Sequence, residues 1–325
     1  MSLPTIQLGN TDLTVTRYCQ GTAFRHLPRR SNEPVAERVL RHCLDRGVTF
    51  FDSAYAYGWG GAEELLGKVV QGRRDQVVIC TKVPPTRPPE TEDAPGTPTR
   101  YSLPYLTEQL DAALRRLQTD YVDLYLLHQP DGKTPVEEIC ASMDQLVQSG
   151  KTRYWGLSNH DPAAVAECVE TAGSAGSAPP SVLEDYYNIA GGYSLTPDGQ
   201  SRIRRYERQM FPVVSQYGLG TMFFSPLDVA QLATSHEPEP GSPLATLRAE
   251  LDAIAEQLGA TRAQICVAWV LDHPEASTVL AGPEHPDHVD ELLAGINLQL
   301  PADVRERLDQ ASMAYSQSLA IEREE

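Results

Sequence analysis

Residues 47–70 read GVTFFDSAYAYGWGGAEELLGKVV, and this stretch carries the unit from which the rest of the chain is built. The preceding segment EPVAERVLRHCLDRG has Val35, Val39 and Cys43 with Leu40 and Leu44 on one apolar stripe, and Gly47 closes it as a helix terminator. VTFFD then reads as a short buried strand that stops at Asp52, and the turn YAYGWGG follows, with Gly58, Gly60 and Gly61 free to curl the backbone back. Equivalent runs recur: RYCQG (17–21), QVVICT (76–81), YVDLYLL (121–127), RYWGL (153–157), VLEDYY (182–187), TMFFS (221–225) and STVLAG (277–282). Helical patterns such as SLPYLTEQLDAALRRLQ, PVEEICASMDQLVQSG, DPAAVAECVETAG, RIRRYERQMFPVVSQYG and RAQICVAWVLDHP lie between them. Eight alternations with short junctions predict an α/β fold, a (β/α)8 TIM barrel, rather than an open sheet, whose edge strands would read differently from its central ones. TIQLG, the turn NTD and LTV predict an N-terminal β-hairpin. No shift in composition marks a boundary, so residues 1–325 are read as one domain, with PPTRPPETEDAPGTP, TAGSAGSAPPS and SHEPEPGSP as loops.

Composition narrows the functional classes. Of 325 residues, 41% are hydrophobic and 22% charged, values of a chain that can bury a core. The net charge of −17 repels phosphate backbones and anionic lipid, which argues against nucleic-acid and membrane partners. No basic leader followed by an apolar run opens the chain, and a cytoplasmic protein is expected. The six cysteines (Cys19, Cys43, Cys80, Cys140, Cys168, Cys266) show neither a CxxC pair nor metal-ligand spacing, and are expected to be reduced core residues with no metal.

A barrel of this kind does its chemistry in the loops at the carboxyl ends of its strands. Those ends carry Gly21 and Thr22, Asp52, Lys82, His128, Ser158 and Asn159, Glu184, Phe224 and Ser225, and Gly282. Taken singly, a strand-end Asp caps a helix, a Tyr packs and a His bonds to its neighbours. Taken together, Asp52, Tyr57, Lys82 and His128 form a set. An ammonium in the barrel mouth needs a carboxylate partner, which Asp52 can supply. A phenol beside that ammonium is expected to have its pKa drawn below about 10, so that Tyr57 can donate a proton near neutrality. His128 would hold a substrate oxygen by hydrogen bonding. No Ser or Cys nucleophile with an adjacent base is visible, so a hydride from a bound cofactor is the expected attacking species.

GVTFFDSAYAYGWGGAEELLGKVV, VVICTKV, RRLQTDYVDLYLLHQPD, GKTRYWGLSNH, the YYN segment, FFSPL and AQICVAWVLDHP, in this order, resemble the successive signatures of the aldo-keto reductase superfamily from about Leu8 to about Leu293. The resemblance implies that Asp52, Tyr57, Lys82 and His128 are a catalytic tetrad with Tyr57 as general acid/base. It implies a nicotinamide dinucleotide, NADP(H) or NAD(H), extended across the barrel mouth. Ser158 and Asn159 match the pair that holds the carboxamide, Gly21 and Thr22 the turn on the ribose side, and Phe224, Ser225 and Leu227 the segment over the pyrophosphate.

Several positions depart from that pattern. Glu184 stands where the family usually places Gln, Phe224 where Tyr or Trp commonly stacks, and Ala230 where a Gly admits the loop to the phosphates. In LAGPEHPDHVDELL, Gly282 and Glu291 match, but His288 replaces an Arg that often meets a 2′-phosphate and Leu292 replaces an Asn. No Lys or Arg lies between Arg262 and Arg305, while Glu284 and Asp287 would face that phosphate, so NADH is expected to serve at least as well as NADPH. Phe24, Arg25, His26, Trp59 and His160 are expected around the pocket for a small-molecule carbonyl or alcohol substrate. Two other readings remain open: an NAD-dependent sugar or polyol dehydrogenase, and a cofactor-sensing accessory subunit without significant turnover.

Overall fold

The computed structural model describes residues 2–24, 34–87, 97–191 and 202–321. Eight strands, β1 (Tyr18–Gly21), β2 (Phe50–Asp52), β3 (Val78–Val83), β4 (Val122–Leu127), β5 (Thr152–Ser158), β6 (Val182–Tyr186), β7 (Gly220–Phe224) and β8 (Thr278–Ala281), close on themselves in parallel. The order around the barrel is β6-β7-β8-β1-β2-β3-β4-β5, with β5 returning to β6 through pairs such as Leu183 with Leu157. Each bounds agree within a few residues with the sequence reading; β3 runs one residue beyond Lys82. The hairpin is present, Thr5–Gln7 pairing antiparallel with Thr14–Thr16.

Helices α1 (Pro34–Asp45), α2 (Gly61–Val69), α3 (Leu103–Leu117), α4 (Val136–Gln148), α5 (Pro162–Ala175) and α6 (Arg202–Tyr217) follow the first six strands in turn. After β7 come α7 (Pro243–Leu258) and α8 (Arg262–Leu271), and after β8 come α9 (Pro286–Gly295) and α10 (Ala302–Ile321). Helices α2, α7, α9 and α10 add to the elements read from the sequence. No helix among the described residues is long and apolar enough to cross a membrane.

Two apolar cores result from strand alternation. One fills the barrel with Cys19, Phe50, Cys80, Leu124, Leu126, Val182, Met222 and Leu280, and the hairpin residues Leu8, Leu13 and Val15 pack against it. The other lies between strands and helices and takes the alternate strand positions, such as Phe51, Ile79, Tyr125 and Leu183. This alternation places the site. Asp52 stands two residues beyond Phe50, Lys82 two beyond Cys80, His128 two beyond Leu126 and Glu184 two beyond Val182, so each continues an inward-facing column to the top of the barrel.

Candidate active site

The turn that carries Tyr57 is fastened to β3 by backbone hydrogen bonds from Ser53 to the Cys80 carbonyl (2.9 Å) and from Tyr55 to the Lys82 carbonyl (3.1 Å). Gly58, Trp59 and Gly60 are all left-handed, with φ of 60°, 49° and 98°. Gly60 is doubly constrained, because a Cβ there would meet Arg116 Cδ at 2.5 Å. Arg116, from α3, lies 4.7 Å over the Tyr55 ring and bonds Glu63 at 2.7 Å, so the turn rests on a buried ion pair. Glu63 also accepts from Thr81 on β3 at 2.6 Å.

Lys82 is completely buried, and its ammonium donates to Asp52 and to Glu184, the latter at 3.0 Å. Neither carboxyl is more than 3% exposed. Asp52, Cys80 and Glu184 place potential ligand atoms within 4.8 Å of one another, but the cation they enclose is the Lys82 ammonium. The ammonium lies 5.1 Å from the centre of the Tyr57 ring. His128 meets that ring edge to face, and its backbone N–H donates to the Val83 carbonyl at 3.0 Å.

The electrostatics correct one expectation. The Tyr57 pKa is raised rather than lowered: loss of hydration is the largest cause, Lys82 opposes it, and Asp52 and Glu184 reinforce it. The sequence argument weighed the ammonium against the phenol but left out the loss of hydration, which in the folded site outweighs the pull of Lys82. Tyr57 is therefore a neutral phenol with a proton to give. His128 is pushed down to about 3 by burial and by Lys82, and is a neutral imidazole. Glu184 is raised well above the usual carboxylate range by burial and by Asp52, and Lys82 is held well above its ordinary value by the two carboxyls despite burial.

A cleft of about 790 Å³ opens over these groups. Its lining includes Asp52, Tyr57, His128, Asn159 and Glu184, as well as Gly21, Phe224, Ser225 and Leu227, and Gly282, Glu284, His288 and Glu291. Thr22 and Ser158 lie beneath the wall, Thr22 bonded to Ser53 at 2.9 Å and Ser158 accepting from the Asn159 side chain at 2.9 Å. Asn159, at φ 60°, also donates through its side chain to the His128 carbonyl (3.0 Å), and its backbone N–H is held by Asp185 at 2.9 Å. Of the residues expected around the substrate, Phe24 is buried in the outer core, Trp59 stands edge to face with Tyr55 at 5.7 Å, and His160 bonds the Ser158 carbonyl at 2.8 Å. None of these three is among the residues lining the cleft. Arg25 and His26 lie outside the described residues.

The cleft has features suited to a long ligand with phosphates. A Cβ at Gly282 would meet only the Gly21 carbonyl, at 3.7 Å, so a side chain there would fill the groove. Ser225, Asp228, Val229 and Ala230 all have positive φ (57°, 48°, 54° and 71°), a strained run for residues with side chains, and Tyr186 and Asn188 pin it through Asp228 and the Ser225 carbonyl. Thr234, Ser235, Ala23 and Ala281 also line it and were missed in the sequence, where small side chains beside strand ends carry no signal.

A closed eight-stranded parallel barrel with a tyrosine, a lysine–carboxylate cluster and a histidine at its cleft defines an oxidoreductase-type (β/α)8 barrel. Residues 19–313 match the aldo/keto reductase family, and the chain belongs to that family. It is 31% identical to an uncharacterized oxidoreductase, YrpG, of Bacillus subtilis (strain 168), over 93% of this chain and 94% of that protein. It is 28% identical to a putative voltage-gated potassium channel subunit beta of Schizosaccharomyces pombe, over 93% and 91% of the two chains. Among solved structures it is similar to an aldo-keto reductase from Bacillus halodurans in its holo form (TM-score 0.79, 25% identity, 95% of this chain and 96% of that one). A thermostable aldo-keto reductase in complex with the inhibitor epalrestat is similar at a TM-score of 0.77 and 27% identity, over 95% and 100% of the chains. The family uses nicotinamide cofactors, NAD(P)(H).

Proposed function

We propose that this chain catalyses reversible hydride transfer between a nicotinamide cofactor and an aldehyde or ketone, with Tyr57 as general acid/base. The observation that carries this reading is the meeting of Tyr57, His128 and the buried Lys82–Asp52 pair at the cleft. The cofactor, when bound, supplies the hydride. Asn159 and Glu184 would hold its carboxamide end, Phe224 offers an aromatic face, and the Ser225–Ala230 backbone with Gly282 would receive its phosphates.

In reduction the substrate oxygen accepts hydrogen bonds from the Tyr57 hydroxyl and the neutral His128 imidazole, which polarise the carbonyl. The carbon gains the hydride and the oxygen takes the Tyr57 proton, giving the alcohol. Lys82 carries the charge of the phenolate left behind, and Asp52 fixes the ammonium. In oxidation the same phenolate takes the proton back.

Glu284, His288 and Glu291 in the cleft lining favour a ribose hydroxyl over a 2′-phosphate dianion, so NADH is proposed to bind at least as well as NADPH. Fluorescence titration with both nucleotides tests this, and NADPH binding more than about tenfold tighter would overturn it. If NAD is favoured, sugar or polyol oxidation is the nearest variant of the reaction. The similarity to the potassium channel subunit beta of Schizosaccharomyces pombe supports a second reading, a cofactor-sensing accessory subunit. Nucleotide oxidation against a panel of carbonyl compounds separates the two: the enzyme reading predicts turnover that depends on Tyr57, the accessory reading predicts nucleotide binding without turnover.

A further inference from the structure

Glu184 does something that the amide usual at its position cannot do. Its carboxyl is in contact with the Lys82 ammonium at 3.0 Å and has an oxygen within 4.8 Å of one on Asp52, and it is one of the residues lining the cleft. The titratable groups facing it come from four other elements: Lys82 and Cys80 on β3, Asp52 on β2, Cys19 on β1 and Tyr57 on the turn after β2. Its strand neighbour Asp185 points the opposite way, to the Asn159 N–H and the Tyr206 hydroxyl.

One ammonium thus faces two carboxyls in a volume where none of the three groups is more than 3% exposed. Two carboxylates against one cation would leave an uncompensated buried charge, so the cluster retains a proton. Burial and the neighbouring Asp52 both favour the neutral form of Glu184, so the proton is assigned to it. A neutral carboxylic acid offers one donor and one acceptor, the pair of capacities an amide presents, so protonated Glu184 can stand in for Gln. Unlike Gln, it can then lose the proton.

We propose that Glu184 sets the charge of the nicotinamide end of the cleft: protonated it is an amide-like hydrogen-bonding partner, and ionised it adds a negative charge beside Lys82 and Tyr57 that favours the oxidised, cationic nicotinamide over the reduced, neutral one. This rests on reading the cleft as the cofactor site. It makes the chain's preference between the two redox forms of its cofactor a function of pH, with alkaline conditions favouring oxidation of the alcohol.

The test is the ratio of dissociation constants for NADH and NAD+ measured from pH 6 to pH 9 by fluorescence titration and calorimetry, in wild type, Glu184→Gln and Tyr57→Phe. The two nucleotides carry the same pyrophosphate and riboses, so titration elsewhere in the cleft cancels from the ratio. In wild type the ratio is expected to move toward NAD+ by about tenfold or more as pH rises, the size expected of one nearby charge in a partly screened site. In Glu184→Gln it is expected to change by less than about twofold, while Tyr57→Phe keeps the wild-type dependence. A flat ratio in wild type would overturn the proposal even if Glu184→Gln failed to fold. A pH dependence that survives in Glu184→Gln, or disappears in Tyr57→Phe, would overturn it by assigning the proton to another group. Failure of wild type to bind either nucleotide would instead overturn the reading of the cleft, and this proposal with it.

Discussion

The rings of Tyr57 and His128 meet edge to face, 5.8 Å between centroids and at 83° between planes, so a single substrate oxygen can be reached from both. The His128 imidazole, held down to about 3, is neutral throughout the physiological range and donates without titrating. His128→Ala is therefore expected to lower kcat/KM for carbonyl reduction by about 10²- to 10³-fold, and by the same factor at pH 6 and pH 8. Steady-state kinetics at the two pH values check this; a factor that changes severalfold would show that His128 titrates in the window.

Lys82 holds together two carboxyls that would otherwise share the barrel mouth without a cation. Lys82→Met is expected to cost about 3–5 kcal/mol of stability at pH 8, the penalty of breaking a buried ion cluster, and to be partly rescued by adding Glu184→Gln. Urea unfolding measures both. A cost below about 1 kcal/mol for the single variant would mean that the cluster is not held by charge.

Burial pushes the Asp185 carboxyl up to about 6, while hydrogen bonds from Tyr206 and the Asn159 N–H pull it back. With the folded value above the unfolded one, the folded chain binds this proton more tightly. The group's contribution is then fully present below the ordinary aspartate value near 3.8 and is lost as pH rises through about 6. The stability of Asp185→Asn minus that of wild type is expected to grow by about 2 kcal/mol between pH 4 and pH 7, whatever constant offset the amide introduces. Unfolding curves at matched pH values test this, and a difference that stays flat or shrinks would contradict it.

The sequence disclosed the barrel because each strand is a short apolar or aromatic run stopped by a chemically distinct residue, as VTFFD is by Asp52. Helix α7 could have been read as well: Ser242 caps it, accepting from the Ala245 N–H, Pro243 begins it, Gly259 ends it, and Leu247, Leu251 and Ile254 form its buried stripe. The contact between Glu184 and Lys82 was not legible. The two lie on β6 and β3, which are not neighbours in the sheet, and the stagger that brings their ends together belongs to barrel closure rather than to local pattern. The error about the Tyr57 pKa has another source: the sequence shows that a lysine is near, but not how completely the folded site strips water from the phenol. Phe24, Trp59 and His160 sit in loops after strands, where sequence gives proximity to the mouth but not which side chains turn inward.

The central claim is that Tyr57 hands its proton to the substrate oxygen while the adjacent carbon takes the hydride. The most direct measurement compares wild type with Tyr57→Phe, each first shown by titration to bind nucleotide, for NADH and NADPH oxidation against a carbonyl panel. Wild-type turnover that falls by about 10³-fold or more in Tyr57→Phe, with nucleotide affinity nearly unchanged, is the predicted result. Equal rates in the two proteins, or no turnover on any carbonyl by a wild type that binds nucleotide, would contradict it.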